Sequence, residues 1–545
     1  MLVPFATRQI RSNDERRSSR PGVCSSSDVA EAPGSPLALF VFAVVEVFAL
    51  MLYLANGDGR WFFLDEWDFL ADRELSSVDD LLRPHAEHWT TLPIVAYRVC
   101  WQIFGLNTYV PYQLVTIVLH LLAALLLRLV MRRAAVDPWI ATLVASVFVL
   151  FGSASQDIVW AFQMTFGGAL VFGLTHLLLA DHDGPIDRRD WLGLLAGVAG
   201  LMCSGVGVTM TIVVAMAVLA RRGLLIALLH SVPLGVVFVA WWAAYGRDSY
   251  GTLDLSVDAM VRFVVTGITA TFGALGQVPG VGIVLGVLLV VGLPLAWLPL
   301  DRTELRRRAA APGAMLAGAV VFLLVSGVGR AASFGTVFAR EGRYLHIVGA
   351  LVLPAVAVAA NALIQQWRVL WPAVILLLIA GIPGNIQDLA DQNIKFSRLV
   401  VALPSASRAS EVPRAARPVL GDTSQITMGW LRDGVAAGRI PEQRLEPKTA
   451  ATANLSVALT QTTSSKPPRG CERLKAPVTR TLRKGEMLQF RGLGIVRISE
   501  LDADGNVVAV VGANLVFGDT ITANVGPLRL RFESGFGPEL QSICN

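Results

Sequence analysis

The run LALFVFAVVEVFALMLYLA, Leu37–Ala55, passes directly into NGDGRWFFLDEWDFL, Asn56–Leu70. The first part is an apolar helix long enough, at about 1.5 Å per residue, to cross a hydrocarbon layer of about 30 Å. No small-residue cleavage site follows it, so it reads as a retained first transmembrane helix and not as a removed signal peptide. Its single acid, Glu46, is expected protonated and hydrogen-bonded in a structural role. Ahead of it, residues 1–36 are polar and rich in Arg and Ser, with Arg8, Arg11, Arg16, Arg17 and Arg20, which predicts a disordered cytoplasmic tail.

The chain repeats this pattern. Of its 545 residues 54% are hydrophobic and 16% charged, against roughly 25% charged in a soluble domain. The mean hydropathy is +0.57. The formal net charge of +5 comes from Arg clusters beside the apolar runs, where they set topology against anionic lipid, so no nucleic-acid partner is expected.

With the tail inside, residues 57–109 form an outer loop. Pro111–Met131 returns to Arg128, Arg132 and Arg133, Pro138–Phe151 exits, and Val159–Ala180 re-enters before the inner loop Asp181–Asp190. Trp191–Ala220 reads as two short helices meeting at Cys203–Gly207, ahead of Arg221 and Arg222. Leu224–Tyr245 exits again. Met260–Gly276 is expected to be re-entrant or interfacial, because a full crossing would put Arg302, Arg306, Arg307 and Arg308 outside. Val281–Leu298, Met315–Val328, Tyr344–Leu363 and Leu370–Ile382 complete about eleven spans. The expected fold is therefore an α-helical polytopic protein of the cytoplasmic (inner) membrane, with a transmembrane domain over 37–385 and everything beyond it outside.

Residues 386–465 mix helix and linker, including a Ser/Thr/Lys/Pro stretch at Thr462–Pro468. Residues 466–545 carry short β-compatible runs and read as a small β-rich exported domain. Cys471 and Cys544 bracket it. In an oxidising compartment a disulfide between them is expected, closing a loop of about 70 residues and adding roughly 4 kcal/mol.

The chemistry gathers in the outer loops. On a helix Asp65 and Asp68 share a face while Glu66 lies about 100° round. Carboxylates between aromatics at headgroup depth pay desolvation and repulsion, which hydrogen bonds, a cation or a catalytic role would relieve. His85 and His88 flank Glu87 without any strong zinc spacing, so hydrogen bonding to substrate or to the acidic loop and plain interfacial structure are the leading readings, and no metal ligand is assigned. Asp157 stands at the outer end of a helix with Gln163 two turns in. Arg330, Arg340 and Arg343 put positive charge on the outer side, against the usual bias; guanidinium forks match phosphate oxygens, and lipid headgroup contact and pairing with Glu341 or the acidic loop are the other readings.

The pattern Asp65-Glu66-Trp67-Asp68, then His85 to His88-Trp89, Phe104-Gly105-Leu106, Pro111-Tyr112, His120, Asp157, Trp160 and Gln163 resembles the GT-C superfold of integral membrane glycosyltransferases, in particular its uncharacterised actinobacterial members. The resemblance covers roughly residues 37–385. It implies transfer of a sugar from a polyprenyl-phosphate donor to an envelope glycan or glycolipid acceptor at the outer face of the membrane, with membrane lipid as the other partner. Under it Asp65 is the candidate base, Glu66 and Asp157 assist or orient, and Arg330, Arg340 and Arg343 hold the lipid phosphate. A divalent cation joins the carboxylates in some relatives, which leaves one open here. Two other readings stand beside it: a non-catalytic envelope scaffold, and a lipid or glycan transporter. Against the transporter, the break at Ser204–Gly207 has no convincing mate in a second repeat.

Overall fold

The computed structural model describes residues 35–247, 256–391, 398–421, 425–463, 471–473, 477–491, 494–515, 519–534 and 542–544. The expected N-terminal tail and the expected linker beyond Thr463 lie outside the described residues. Helix α1 (Pro36–Asn56) begins where the Ser35 hydroxyl accepts from the Ala38 amide at 3.3 Å, with proline in its first turn. Three short helices follow on one side of the bundle: α2 (Glu66–Ala71), α3 (Val78–Leu82) and α4 (Thr91–Phe104).

The bundle continues with α5 (Val110–Arg133), α6 (Pro138–Val149), α7 (Ser155–Val159), α8 (Met164–Ala180), α9 (Arg188–Leu201), α10 (Val206–Arg222) and α11 (Leu224–Trp241). It closes with α12 (Val257–Gly276), α13 (Val281–Trp297), α14 (Arg302–Phe334), α15 (Gly342–Gln366), α16 (Trp371–Ile379) and α17 (Ile382–Asp391). Among the described residues eight helical segments are long and apolar enough to cross a membrane, or nine if α6 and Gly152–Val159, bent by 44°, form one span. The protein is thus a polytopic α-helical membrane protein. The count differs from the eleven expected because α9, α10 and α13 have only 14, 17 and 17 residues, and because α12 passes the same test of length and composition.

Helix α15 is the bundle's axis, with 94% of its apolar window buried, whereas α1 buries only 22% and turns Phe40, Val44, Val47 and Met51 outward. Small residues let the axis be approached closely. A Cβ on Gly292 of α13 would lie 2.6 Å from the Ala359 backbone of α15. Helix α12 is one unbroken helix whose contacts fall at points about 21 Å apart along its axis. Phe263 lies edge-on to Tyr344 at a centroid distance of 6.0 Å, and Gln277 donates to Ser153 and Asp388 at 2.7 and 2.8 Å. Gly342 in turn packs on Ser153.

Beyond the bundle, α18 (Leu399–Ala402), α19 (Met428–Ala436) and α20 (Pro447–Ala458) lead into nine strands. These are β1 (Leu459–Thr463), β2 (Cys471–Arg473), β3 (Val478–Leu482), β4 (Met487–Arg491), β5 (Gly494–Leu501), β6 (Val507–Leu515), β7 (Asp519–Ala523), β8 (Leu528–Ser534) and β9 (Ser542–Cys544). They form two antiparallel sheets, ordered β1-β7-β4-β9-β2 and β3-β8-β5-β6. The β-rich unit takes its edge strand β1 from before residue 466, and in the β2–β9 pair Cys471 stands opposite Cys544.

This region is fused to the loop after α1. Trp101 of α4 stacks on Trp430 of α19 at 4.8 Å and 19°, and the Leu106 amide donates to the Arg439 carbonyl at 2.6 Å. Gly105, at φ 55°, permits that approach, since a Cβ there would sit 2.1 Å from the same carbonyl. One apolar cluster runs from Trp67, Tyr97 and Trp101 through Leu403 and Met428 to Ile498 and Phe532. The 57–109 loop and the β sandwich therefore share one side of the bundle.

Candidate functional site

The first turn of α2 sorts the three acids by helical spacing. Asp65 precedes the helix and its side chain is 46% exposed. Asp68, one turn on, is buried against Arg73, which donates from Nε and Nη2 to its two oxygens at 3.1 and 2.8 Å. The same guanidinium ties down the carbonyls of Asp80, Arg83 and Pro84, so it fixes the path of the loop. His85 bridges the two aspartates, with Nδ1 2.7 Å from Asp68 and Nε2 3.5 Å from Asp65, between the rings of Phe69 and Phe162. Burial pulls the His85 imidazole down, but hydrogen bonds and charge from Asp65 and Asp68 outweigh it and hold the group at about 9. Burial likewise raises Asp68, yet the bonds from His85 and Arg73 bring it to about 2.

Glu66 points the other way and is fully buried. Tyr97 and Tyr109 donate to its Oε1 at 2.5 and 2.9 Å, and the Phe63 amide donates to Oε2 at 2.7 Å. Burial pushes this carboxyl up to about 7 against those donors. Glu66 and Asp65 are neighbours in sequence that face different environments.

Residues 85–88 make a tight turn in which His85 and His88 exchange backbone hydrogen bonds at 3.0 and 2.9 Å, with Ala86 at φ 49°. The turn reaches across to the arginines. Glu87 forms an ion pair with Arg330 near the end of α14. His88 lies 3.6 Å from Glu87 and beside Gly205, where α9 and α10 break. Burial, then the charges of His85 and Arg343, push the His88 imidazole down to about 4, so it is neutral near pH 7. Arg343 lies over Phe338 and Tyr344 at 5.0 and 5.8 Å. Its Nε is buried with no hydrogen-bond partner among the described residues. Arg340 is exposed on the same connection.

Asp157 is fully buried at the bend after α6, with Oδ2 3.0 Å from His346 Nδ1 and no hydrogen bond to the 65–88 group. Gln163, just before α8, is also buried, and its Oε1 has no partner among the described residues. The structure thus brings together Asp65, His85, His88 and Arg330 around one turn, sets Glu66 behind them, and gives Asp157 its own partners. Sequence reasoning singled out neither Arg73, whose signal was its place five residues after Asp68, nor Tyr97 and Tyr109. It also passed over His346, which sits alone in an apolar run.

A divalent cation was left open beside the carboxylates. Among the described residues one group could hold a metal: His182, Asp187 and Asp190, whose ligand atoms lie within 4.8 Å of one another. It belongs to the α8–α9 connection, at the opposite end of the bundle from Asp65. Its carboxylates are also ion-paired, Asp190 to Arg222 and Asp187 to Arg189. In the 65–88 group the Asp68 oxygens are already occupied by Arg73 and His85.

No family model and no curated protein matches the chain. Among solved structures it is similar to the crystal structure of ArnT from Cupriavidus metallidurans in the apo state. The identity is 14%, the match covers 72% of this chain and 84% of that chain, and the TM-score is 0.43.

Proposed function

We propose that the chain transfers a sugar from a polyprenyl-phosphate donor to an envelope glycan or glycolipid acceptor at the outer face of the cytoplasmic membrane. In this reading α12 lies along the outer interface without crossing, the bundle crosses eleven times, the N-terminus is cytoplasmic and the β sandwich is exported. The observation that carries the reading is the 85–88 turn. One end of it holds the exposed carboxylate Asp65 through His85, and the other holds Arg330 through Glu87.

A hydroxyl nucleophile needs a base within hydrogen-bond reach, and a departing phosphate needs cations. Asp65 is the base, since it is the member of the acid trio that solvent and an acceptor can reach. His85, held as a cation by two aspartates, orients Asp65. Glu66 fixes the loop through its two tyrosines, and Asp157 and Gln163 orient groups behind the site. Arg330, Arg343 and the exposed Arg340 take the lipid phosphate, with neutral His88 beside them. The GT-C resemblance of the sequence agrees with this division of roles.

The test is turnover in proteoliposomes with a panel of polyprenyl-phosphate sugars and membrane acceptors, wild type against Asp65→Asn. Loss of turnover with lipid-phosphate binding retained is expected. Full turnover in a folded Asp65→Asn protein removes the base, and absence of any lipid-linked sugar binding by the wild type favours the scaffold.

A further inference from the structure

Helix α4 is apolar nearly all the way round, yet protein covers only one side of it. Its inner face packs Ile94, Tyr97 and Trp101 into the core shared with α2 and α19. On the opposite face Val95, Val99 and Ile103 recur every four residues and so form one stripe. Val99 and Ile103 are 45% and 66% exposed, and Phe104 at the helix end is 39% exposed. A helix with water on that side would carry polar residues there. The polar residues of α4 line one edge instead, where Arg98 donates to the Leu70 carbonyl and Gln102 accepts from Arg439.

Both ends of α4 are tied to the same end of the bundle. At its start the Leu92 amide donates to the Met202 carbonyl at 3.2 Å, in the break between α9 and α10. Just before it, Trp89 stacks on Trp241, the last residue of α11, at 5.2 Å and 4°. At its finish Gly105 turns the chain into α5, and the Tyr112 hydroxyl donates back to the Gly105 carbonyl at 3.0 Å. The helix therefore lies across the bundle end and does not stand away from it.

Its neighbours set its depth. Helices α9 and α10 start and finish among Asp190, Arg221 and Arg222 at the far end of the bundle, and such charges stay out of hydrocarbon. Their 14 and 17 residues rise about 21 and 26 Å, less than the roughly 30 Å of the hydrocarbon layer, so the break that holds Leu92 lies no farther out than the near headgroups. At the other end the stripe is continued by α5, which is long and apolar enough to cross a membrane. Val110, Leu114, Val118 and Leu122 again recur every four residues, with exposures of 51%, 38%, 48% and 38%. That is a lipid-facing side, and it begins one short turn after Phe104.

We infer that α4 is an interfacial helix sunk lengthwise into the leaflet on the side of the 57–109 loop, with Val95, Val99 and Ile103 among the acyl chains and Arg98 and Gln102 at headgroup level. The partner of this surface is bilayer lipid. The inner face of the same helix holds α2, through Tyr97 on Glu66 and Arg98 on the Leu70 carbonyl, so the leaflet sets the depth at which Asp65 stands. The placement holds whatever the chain transfers.

Electron paramagnetic resonance of the full chain in nanodiscs tests this. A nitroxide is attached at position 99 or 103, one at a time, through a ketone-bearing residue that leaves the native cysteines unlabelled. Val118 on α5 gives the lipid reference and the exposed Asp504 of the β sandwich gives the water reference. Oxygen concentrates in lipid, and a polar nickel complex stays in water. At both positions oxygen should relax the label more strongly than nickel does, with the ratio shifted away from that at Asp504 and toward that at Val118. A nickel-dominated ratio at either position would put the stripe in water and overturn the proposal. Poor access for both reagents at either position would also overturn it, because a second copy of the chain or another protein would then cover the stripe.

Discussion

Glu87, at the tip of the 85–88 turn, is ion-paired with Arg330, 243 residues later near the end of α14. This pair joins the acidic loop to the basic connection, and it also places an acid where a phosphate would compete. Arg330→Gln should weaken retention of a polyprenyl phosphate roughly tenfold to a hundredfold, the worth of a charge-assisted hydrogen bond of about 1.5–3 kcal/mol. Glu87→Gln keeps the shape and removes the competitor, so it should tighten binding. Opposite signs in a lipid-retention assay support competition, and equal signs would show that the pair acts only as a structural tie.

The two adjacent acids should separate when each is made an amide. Glu66→Gln puts an NH2 group against donors that already come from Tyr97, Tyr109 and the Phe63 amide. A buried mismatch of that kind costs about 1–3 kcal/mol. Asp65→Asn changes a half-exposed group whose one ion-pair partner is 3.5 Å away, and should leave the melting temperature nearly unchanged while turnover falls on the order of a hundredfold or more. Thermal unfolding in detergent beside a turnover assay reads both. The reverse pattern would assign the chemistry to Glu66.

Stability should decline with rising pH in two windows that belong to this loop. His85 is raised from 6.5 to about 9 in the folded protein. Its contribution is therefore complete below about 6.5 and is lost as pH climbs through 9. Glu66 is an acid raised from 4.5 to about 7. The fold favours its protonated form, so stability drains between those values in the same direction. Asp68, held at about 2, contributes above the ordinary carboxylate range and loses that contribution only as pH falls toward 2. Melting curves from pH 4 to 10 should show the upper decline in the wild type and a flatter profile above pH 6.5 in His85→Gln. An unchanged upper slope in that variant would mean that another group titrates there.

Much of this was legible in the sequence because it is periodic or local. The twenty-residue apolar runs located the long helices, and a spacing of three put Asp65 and Asp68 on one face, where one histidine meets both. The burial of Glu66 was not legible, because Tyr97 and Tyr109 lie 31 and 43 residues away and only the packing of α4 on α2 brings them in. The hydrogen bonds of His346 with Asp157 and His120 escaped for the same reason, with partners 189 and 226 residues apart. Nor was it visible that residues 386–465, read as mixed helix and linker, and the β-rich region after them share one core with α2 and α4, in which Trp101 stacks on Trp430. Helix α12 kept its ambiguity. Composition makes it a span, and Gln277 just past its C-terminal end is held at one place, by Ser153 and Asp388 beside the bend after α6.

The cysteines decide on which side that place lies. Antiparallel pairing sets Cys471 opposite Cys544, and directly opposed residues sit about 4.5–5.5 Å apart between Cα atoms, inside the range of about 4.4–6.8 Å that a disulfide spans. If the β sandwich is exported, this bond should form. Cys471→Ser and Cys544→Ser should each abolish a mobility difference between reduced and non-reduced protein, and should destabilise the sandwich by an amount on the order of 4 kcal/mol for a loop of about 70 residues. Cys100 and Cys203 are buried and provide an internal control. Thiol alkylation of native membranes should modify neither Cys471 nor Cys544 until a reductant is added. The sandwich and the acidic loop are parts of one core, so the redox state of this pair reports on Asp65 as well. Ready alkylation of both thiols without reductant would put the carboxylates, the arginines and the transfer chemistry on the wrong side of the membrane for an exported lipid-linked sugar.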